Sequence, residues 1–438
     1  MRRLVLSSLL ALLVLAAGAG QAFAAKDLIG QVREYELAPG SRPEALVSGP
    51  DGNLWFAGIR YLGGGGFADL VGKVTPSGQV TEYTVGVHPA NVGLSDIAVG
   101  PDGNLWFTEG GRPKVGRITS AGQITEFSLP DPEASPSSIA AGPDGNLWFA
   151  EWRGGKAGRV TTSGEITEFP LRDSSGLAAG PDGALWLTGA TTISRLATDG
   201  TSSSFQLPPS IEYPGEIVAG PDGALWFGLQ SRFGVGSEPG LGRITTDGQI
   251  SEVPVPGGRQ TFALSSGPFG NVWYSNGGGR IGWIMPGVVT GDPACISSCR
   301  SPIADLAEGP DGKLWFAAGV EGNALYSTPG TIGTYAPPPL EVKILDDASL
   351  RGETLLLPVR CRFTPAGSRC KGRLQLQGPG KPAQRRLGLR IGRGQRLALP
   401  LSGAAKQQLA ERGRVVLRAT TSVVGGRRDS RRIVLRQP

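Results

Sequence analysis

The sequence of 438 residues holds only one histidine, His88, and four cysteines, which leaves little material for a zinc site. The cysteines form two local pairs without CxxC spacing and without a nearby histidine. Paired thiols in an exported chain favour disulfides over metal binding, which is the alternative. We therefore predict that Cys361 and Cys370 bridge a hairpin around the turn-forming TPAGS, and that Cys295 and Cys299 close a small loop.

Beyond its N-terminus the chain lacks any apolar run long enough to cross a bilayer. Arg2 and Arg3 precede the apolar run Leu4–Ala19, and Ala22-Phe23-Ala24 supplies the small residues that a signal peptidase accepts. We predict a signal peptide over residues 1–24 and a secreted protein, extracellular or associated with the cell envelope, with no transmembrane segment after cleavage. An uncleaved anchor is the alternative.

Long helical patterns are also scarce, because 69 glycines and 35 prolines punctuate the chain with turns. What is present instead is a repeat. The motif GPDG, or GPFG in one copy, is followed each time by a segment with tryptophan, at spacings of about 40 to 50 residues that are typical of one propeller blade per repeat. The seven motifs begin at Gly49, Gly100, Gly142, Gly180, Gly220, Gly267 and Gly309.

Each repeat predicts four short strands. In the second copy, Ser95–Val99 precedes the GPDG turn, Asn104–Thr108 forms an aromatic strand, and the segments VGRIT and QITEFSL follow. A lone blade cannot bury both faces of its sheet, so the repeated tryptophan is expected to pack between neighbouring blades; an aromatic platform for a sugar or drug is the minority interpretation. Two segments could supply the last outer strand of the ring, Val32–Leu37 or Thr331–Tyr335.

Antiparallel connectivity separates two faces of this predicted propeller. The GPDG and SxGxI hairpins lie on one face, and the longer loops lie on the other, which we call the loop face and where a ligand pocket is expected. Acidic residues recur there and form either a solvated negative rim or, in a subset, a site for a cation such as Mg²⁺ or Ca²⁺, with Asp96, Glu109 and Glu151 as the metal candidates. The six acidic candidates are Glu44, Asp96, Glu109, Glu151, Glu216 and Asp305. His88, in the loop entering the second blade, is the only candidate for imidazole catalysis.

Repeats such as IAVGPDGNLWFTE, IAAGPDGNLWFAE and VGRITSAGQITEFSLP closely resemble those of the virginiamycin B lyase (streptogramin B lyase) family, over roughly residues 28 to 336. The resemblance implies a seven-bladed propeller and a magnesium-dependent elimination that opens the ester ring of a cyclic depsipeptide antibiotic. It also implies a catalytic histidine just before the first strand of the final blade, with two carboxylates that bind the metal.

The sequence departs from that pattern at the site itself. Matching SPIADLAEGPDGKLWFAAG to the family places Ala304 where the histidine belongs, and Pro302 and Gly319 where the carboxylates belong. The preceding blade offers Phe262 and Asn276 at the comparable places. Neither alanine nor glycine can perform acid-base chemistry, so the family reaction by the family mechanism is not expected.

Charge divides the chain as well. Residues 26–340 hold 19 Lys and Arg against 31 Asp and Glu, whereas residues 341–438 hold 22 against 6. We predict a propeller over residues 25–336, a Pro-rich linker over 337–340, and a basic immunoglobulin-like β-sandwich over 341–438 with one helical segment, Ala404–Glu411. The basic domain suits an anionic wall polymer or a loose contact with the acidic propeller. Nucleic acid is not expected, because few aromatic residues lie among the basic ones.

These patterns together predict an all-β, monomeric, exported protein. Its lead function is binding of a small molecule or envelope polymer on the loop face, or a scaffold role at the cell envelope. The alternative is an enzyme, either a divalent-metal-dependent carbon-oxygen lyase that opens streptogramin B or a propeller-type lactone or ester hydrolase.

Overall fold

The computed structural model of the protein describes the propeller and much of the C-terminal region. The described ranges are 31–89, 93–152, 154–171, 174–211, 213–229, 240–255, 261–267, 271–276, 279–285, 288–289, 294–295, 302–319, 329–336, 341–344, 349–351, 354–362, 369–377, 379, 382–390, 394–412, 414–423 and 429–436. The predicted signal peptide and linker lie outside them. Within these ranges no helix has the length and apolar character needed to cross a membrane.

Seven antiparallel sheets form the blades of a propeller. In chain order the strands are β1 (Gln31–Glu36); β2 (Ser41–Ser48), β3 (Leu54–Gly63), β4 (Gly66–Val74) and β5 (Val80–His88) in blade 1; β6 (Leu94–Val99), β7 (Leu105–Glu109), β8 (Lys114–Ile118) and β9 (Ile124–Ser128) in blade 2; β10 (Pro136–Ala141), β11 (Leu147–Glu151), β12 (Lys156–Val160) and β13 (Ile166–Pro170) in blade 3; β14 (Leu177–Ala179), β15 (Leu185–Thr188), β16 (Thr192–Leu196) and β17 (Ser202–Gln206) in blade 4; β18 (Pro214–Ala219), β19 (Leu225–Leu229), β20 (Gly240–Ile244) and β21 (Ile250–Pro254) in blade 5; β22 (Thr261–Gly267), β23 (Asn271–Asn276), β24 (Arg280–Met285), β25 (Val288–Val289) and β26 (Ala294–Cys295) in blade 6; and β27 (Ile303–Glu308), β28 (Leu314–Ala318) and β29 (Thr331–Ala336) in blade 7. Each innermost strand contacts the innermost strand of the next blade, and β27 contacts β2, which closes the ring.

The ring closes with both of the predicted candidates. β29 is the third strand of blade 7, and the N-terminal strand β1 pairs with it as the fourth, from Gln31 opposite Ala336 to Glu36 opposite Thr331. The two ends of the propeller are thereby hydrogen-bonded to one another. Closure of this kind holds the first and last segments of the propeller in one sheet.

The repeat motif acts as a turn and packing device. In six blades the GPDG aspartate accepts a hydrogen bond from the indole Nε1 of the tryptophan four residues later, as between Asp102 and Trp106 at 3.1 Å. All seven repeated tryptophans are buried, with exposed fractions of 0 to 2 %. Trp106, for example, packs against Leu147 and Phe149 of the next blade. The interpretation as packing between blades is therefore confirmed.

The C-terminal region forms two further sheets. The first contains β30 (Glu341–Ile344), β31 (Ser349–Arg351), β32 (Thr354–Arg362) and β35 (Gly394–Pro400), and the second contains β33 (Arg369–Gln377), β34 (Ala383–Arg390), β36 (Arg414–Val423) and β37 (Asp429–Arg436). The helix α1 (Gly403–Arg412) lies between β35 and β36, with Ser402 Oγ accepting a hydrogen bond from the Ala405 amide at 3.1 Å as its N-cap. A small β-domain thus follows the propeller, so the predicted fold class is confirmed.

One local prediction in this domain is wrong. Cys361 lies in β32 and Cys370 in β33, and these strands belong to different sheets and do not pair, so they are not the two strands of a hairpin. A TPAGS sequence favours a turn wherever it stands and says nothing about which strands pair. The side chains of Cys295, Cys299, Cys361 and Cys370 lie outside the described residues, so the two disulfides stay predictions.

Candidate functional site

The acidic candidates of the inner strands occupy one register position in their blades. Asp96, Glu216 and Asp305 each immediately precede an apolar residue that faces the aromatic residue of the second strand, as Ile97 faces Phe107. The register shifts by one or more residues at this point in all three strands. Such a bulge re-aims a side chain locally, and here it occurs beside the central channel.

Each of these carboxylates accepts a hydrogen bond from a backbone amide of the next blade. The Ile139 amide donates to Asp96 Oδ2 at 2.9 Å, and the Leu264 amide donates to Glu216 Oε2 at 2.8 Å. The Leu46 amide donates to Asp305 Oδ2 at 2.6 Å, across the seam where the last blade meets the first. The three acids therefore connect neighbouring blades as hydrogen-bond acceptors.

The same burial makes these acids hard to ionise. Burial raises the pKa of Asp96 to about 6, although hydrogen bonds from the Ile139 amide, the Ser138 hydroxyl and its own neighbouring amide oppose the change. Burial and then the charge of Asp305 raise the pKa of Glu216, and burial and then the charge of Asp96 raise the pKa of Asp305. The charges of Asp96 and Asp305 thus disfavour ionisation of Glu216, and the charge of Asp96 disfavours ionisation of Asp305.

A cavity of about 430 Å³ opens above these acids on the loop face. We call it the channel cavity. Residues of blades 1, 2, 3, 4, 5 and 7 contribute to its wall, namely Glu44, Ala45, Ser95, Asp96, Ser137, Ser138, Trp152, Ser175, Gly176, Tyr213, Pro214, Gly215, Glu216, Ala304 and Asp305. Its volume lies in the range of sites that take a small organic molecule.

Two exposed aromatic side chains line the channel cavity. Trp152 is 61 % exposed and Tyr213 is 38 % exposed, whereas the seven repeated tryptophans are buried. Tyr213 also has a φ of 48°, a left-handed conformation that costs energy in a residue with a Cβ and is commonest at functional sites. Large apolar rings held in water at the mouth of a cavity are suited to packing against a ligand.

Glu109 and Glu151 lie away from the channel cavity. They end the second strands of blades 2 and 3 and are 1 % and 0 % exposed, and among the described residues no side chain or backbone group forms a hydrogen bond with either carboxylate oxygen. Burial and then contact with Glu126 raise the pKa of Glu109 to about 8, against the attraction of Arg112, whose Nη1 lies 3.6 Å from Glu109 Oε2. Burial and then the charge of Glu168 raise the pKa of Glu151 to about 7. The structure brings Glu44 into the cavity wall with the inner acids, but it does not bring these two glutamates there.

His88 lies apart from the channel cavity as well. The sequence predicted His88 in the loop that enters blade 2, but the residue is the last one of β5, the outer strand of blade 1. Its Nε2 lies 2.8 Å from Oδ1 of the buried Asp69, which also accepts a hydrogen bond from Arg112 at 2.7 Å. Its Nδ1 is buried and has no hydrogen-bond partner within the described part of the chain. Neither ring nitrogen is presented to the cavity, which is the position that a base for a bound substrate needs.

Comparison with known proteins adds to this geometry. Residues 21–176 match the virginiamycin B lyase family. The structure is similar to that of a catalytically inactive His-to-Ala virginiamycin B lyase from Staphylococcus aureus with quinupristin, at 27 % identity and a TM-score of 0.59, over 70 % of this chain and 99 % of the other. A streptogramin B lyase structure has 29 % identity and a TM-score of 0.59, over 69 % and 97 % of the two chains. The chain is a virginiamycin B lyase-like propeller.

More remote similarity extends to the fold alone. The extracellular domain of a one-component system from B. thetaiotaomicron matches with 13 % identity and a TM-score of 0.50, over 93 % of this chain and 58 % of the other. The sequence comparison with curated proteins gave no significant match.

The residues of this virginiamycin B lyase-like propeller do not fit the magnesium ion that the family resemblance implies. The Gly319 amide donates a hydrogen bond to the Pro302 carbonyl at 3.0 Å, so the two positions matched to metal carboxylates are neighbours, yet neither carries a ligand side chain. Ala304, matched to the catalytic histidine, lines the channel cavity beside them. Among the described residues no group of three or more His, Cys, Asp or Glu side chains is arranged to hold a metal ion.

Sequence reasoning missed the aromatic and hydroxyl residues of the cavity in this virginiamycin B lyase-like propeller. Trp152, Tyr213 and Ser137 line it, and none of them belongs to a recognised motif. One signal was available for Trp152. It is one of only two tryptophans, with Trp283, that stand outside the repeated position, and Trp283 faces Trp273 as a packing partner in blade 6. The tryptophan left without a place in the repeat is the exposed one.

Proposed function

We propose that this virginiamycin B lyase-like propeller is an exported binding protein that holds a peptide-like small molecule in the channel cavity without opening it. The observation that carries the proposal is the composition of the cavity wall. It presents the exposed rings of Trp152 and Tyr213 and several hydroxyls, and it has Ala304 where the family resemblance places the base. Such a wall offers apolar contact and hydrogen bonds but no imidazole.

A similar solved structure supports binding without turnover. In the Staphylococcus aureus protein, a histidine-to-alanine replacement gives a catalytically inactive virginiamycin B lyase, and that variant was solved with quinupristin. The present chain carries alanine naturally at the matched position, Ala304. By analogy, a molecule of the quinupristin class occupies the cavity here and leaves intact.

The charge of the cavity favours a ligand with basic groups. Glu44, Asp96, Glu216 and Asp305 all line it, and residues 26–340 carry 12 more acidic than basic side chains. The oxygens of these carboxyls can accept hydrogen bonds from the ammonium or amide groups of a ligand. An amine-bearing, ring-containing peptide matches both the carboxyls and the aromatic rings.

The test uses quinupristin as the probe. The mature protein is titrated with quinupristin in magnesium-containing buffer, with and without EDTA, by calorimetry, and the recovered ligand is analysed by reversed-phase chromatography, which separates the intact ring from its isomeric opened form. We expect binding that does not need magnesium, and an unchanged retention time. The appearance of opened product that EDTA abolishes would establish the lyase alternative, and absence of binding would overturn the proposal.

We also propose that the basic C-terminal domain retains the protein at the cell envelope through an anionic wall polymer. The supporting observation is the excess of 16 basic over acidic side chains in residues 341–438, against the acidic propeller. The test compares the full chain with one lacking residues 341–438 by cell fractionation. Release of the shortened protein into the medium is expected, and equal retention of both would contradict the proposal. A full-length protein found inside the cell would contradict export.

A further inference from the structure

A second cavity of about 440 Å³ lies on the loop face between blades 2 and 3. We call it the side groove. One wall is the turn from β7 to β8, with Gly110, Gly111 and Pro113, and the other is the segment 132–136 that enters blade 3. The family resemblance assigns no residue to this seam, since the positions that it implies for catalysis lie in the last blade.

The walls of the side groove are tied together by hydrogen bonds. The Ser135 hydroxyl donates to the Gly110 carbonyl at 2.6 Å, which joins the two walls across the seam. The Trp152 amide donates to the Ser135 carbonyl at 3.0 Å, which fixes the backbone of the tryptophan against the same wall. At Gly110 a Cβ would lie 2.1 Å from Ser95 Oγ, so the chain is already in close contact at the base of the groove. A groove built in this way is largely preformed.

The side groove adjoins the channel cavity. Ser95, Ser137 and Trp152 line both spaces, so the indole of Trp152 stands at the boundary between them. Each space alone has the volume of a site for one small molecule. A molecule that fills both must be larger, of the size of a macrocycle or a short peptide.

The side groove combines rings with the hydroxyls of Ser95, Ser135 and Ser137 and the carboxyl of Glu133. The pyrrolidine rings of Pro113, Pro132 and Pro136 line it together with the indole of Trp152. Exposed glycine at position 111 leaves the backbone open to close approach. Flat apolar walls of this kind complement an aromatic or prolyl ring.

We infer that the side groove is a second subsite of the same binding site. It takes an aromatic or prolyl ring of a peptide-like ligand whose basic portion fills the channel cavity, and Trp152 contacts both portions. The inference rests on the proposed function and specifies its ligand class as an extended or macrocyclic peptide, in contrast to a single-ring metabolite.

The test uses two variants, one that fills the side groove and one that fills the channel cavity. Gly111→Trp places an indole in the side groove, and Ala304→Trp places one in the channel cavity. Quinupristin is titrated by calorimetry into the unmodified mature protein and into each variant, after melting curves have shown that the variants fold. We expect each variant to weaken the affinity by tenfold or more. Glu133→Trp, on the exposed rim of the groove, serves as the second groove variant if Gly111→Trp does not fold.

The outcomes separate the two levels of the proposal. Unchanged affinity in the groove variant with weakened affinity in Ala304→Trp would overturn the second subsite and leave the proposed function standing. Weakened affinity in the groove variant alone would place the ligand outside the channel cavity and overturn the two-part site. Absence of binding to the unmodified protein would overturn the proposed function and this inference with it.

Discussion

Asp96 in blade 2 accepts a hydrogen bond from the backbone amide of Ile139 in blade 3, at 2.9 Å. The side chain therefore joins two blades at the edge of the channel while its other oxygen bonds the Ile97 amide at 2.7 Å. A backbone amide buried between two blades needs a hydrogen-bond acceptor. A carboxylate supplies that acceptor, but its own burial costs desolvation free energy. The acidic residues of the inner strands are thus structural braces that also line the candidate site.

The stability of the propeller should depend on the protonation of Asp96. Its pKa is raised from the ordinary value of 3.8 to about 6, so the folded protein retains a proton that the unfolded chain has lost. The stabilisation is fully present below about pH 4 and is lost as pH rises through about 6. Because the side chain is partly exposed, we expect a loss of about 1–2 kcal/mol over this window, less than the full shift would give.

The measurement is urea unfolding from pH 4 to pH 7 followed by tryptophan fluorescence, which reports on the propeller because all nine tryptophans lie between Trp55 and Trp315. Asp96→Asn cannot ionise, so its curve should lack this part of the pH dependence. Asp102→Asn is the control, because the pKa of Asp102 is shifted in the opposite direction to that of Asp96. Burial raises the pKa of Asp102, but hydrogen bonds from Asn104 and Trp106 outweigh it, and the net pKa is lowered. Equal slopes in the unmodified protein and Asp96→Asn would contradict the prediction.

Replacing His88 should cost stability and leave ligand binding unchanged. In His88→Ala the buried Asp69 keeps Arg112 but loses a hydrogen-bond partner at 2.8 Å, and a loss of this kind costs about 1–2 kcal/mol. The ring does not line either cavity, so the affinity for quinupristin should stay within about twofold. Thermal melting and calorimetry test the two halves separately. A variant that melts normally but no longer binds or processes the ligand would restore His88 as a site residue.

The sequence predicted the blades and not the site, and the reason is physical. Each repeat carries its own turn, its own Asp–Trp hydrogen bond and its own period of two, so seven local patterns suffice to define seven blades. The site depends on where one residue from each of several blades points. Glu109 and Asp96 look alike as loop-face acids in the sequence, yet Glu109 is buried within a seam and Asp96 faces the channel.

The ring closure shows the same limit at another scale. Val32–Leu37 and Thr331–Tyr335 both have the pattern of an outer strand, but only the first is the outermost strand of blade 7, because the second pairs with it from the inside as the third strand. Pattern alone cannot reveal that two candidates are partners and not competitors. Only the pairing of Gln31 with Ala336 does so.

The first glycine of the repeat motif should be far less replaceable than the last. A Cβ at Gly100 would lie 2.5 Å from Trp106 Cδ1, inside a packed seam, whereas Gly103 has open space around it and only a φ of +74° to satisfy. We expect Gly100→Ala to cost about 2–3 kcal/mol through displacement of the indole, and Gly103→Ala about 1 kcal/mol through its backbone. Thermal melting of both variants checks this ranking. A reversed order would show that the tryptophan can move at little cost.

Two neighbouring tryptophans allow packing and recognition to be separated. Trp148 is buried, and its indole Nε1 donates a hydrogen bond to Asp144 at 3.0 Å. Trp152, four residues later, is 61 % exposed at the boundary of the two cavities. Trp148→Ala should lose about 3–5 kcal/mol of stability, because it empties a seam. Trp152→Ala should fold with a nearly unchanged melting temperature and bind quinupristin about tenfold or more weakly, because it removes a ring that stacks on the ligand. Melting curves and calorimetry on the two variants give the comparison, and unimpaired binding by Trp152→Ala would remove the aromatic contact from the proposed site.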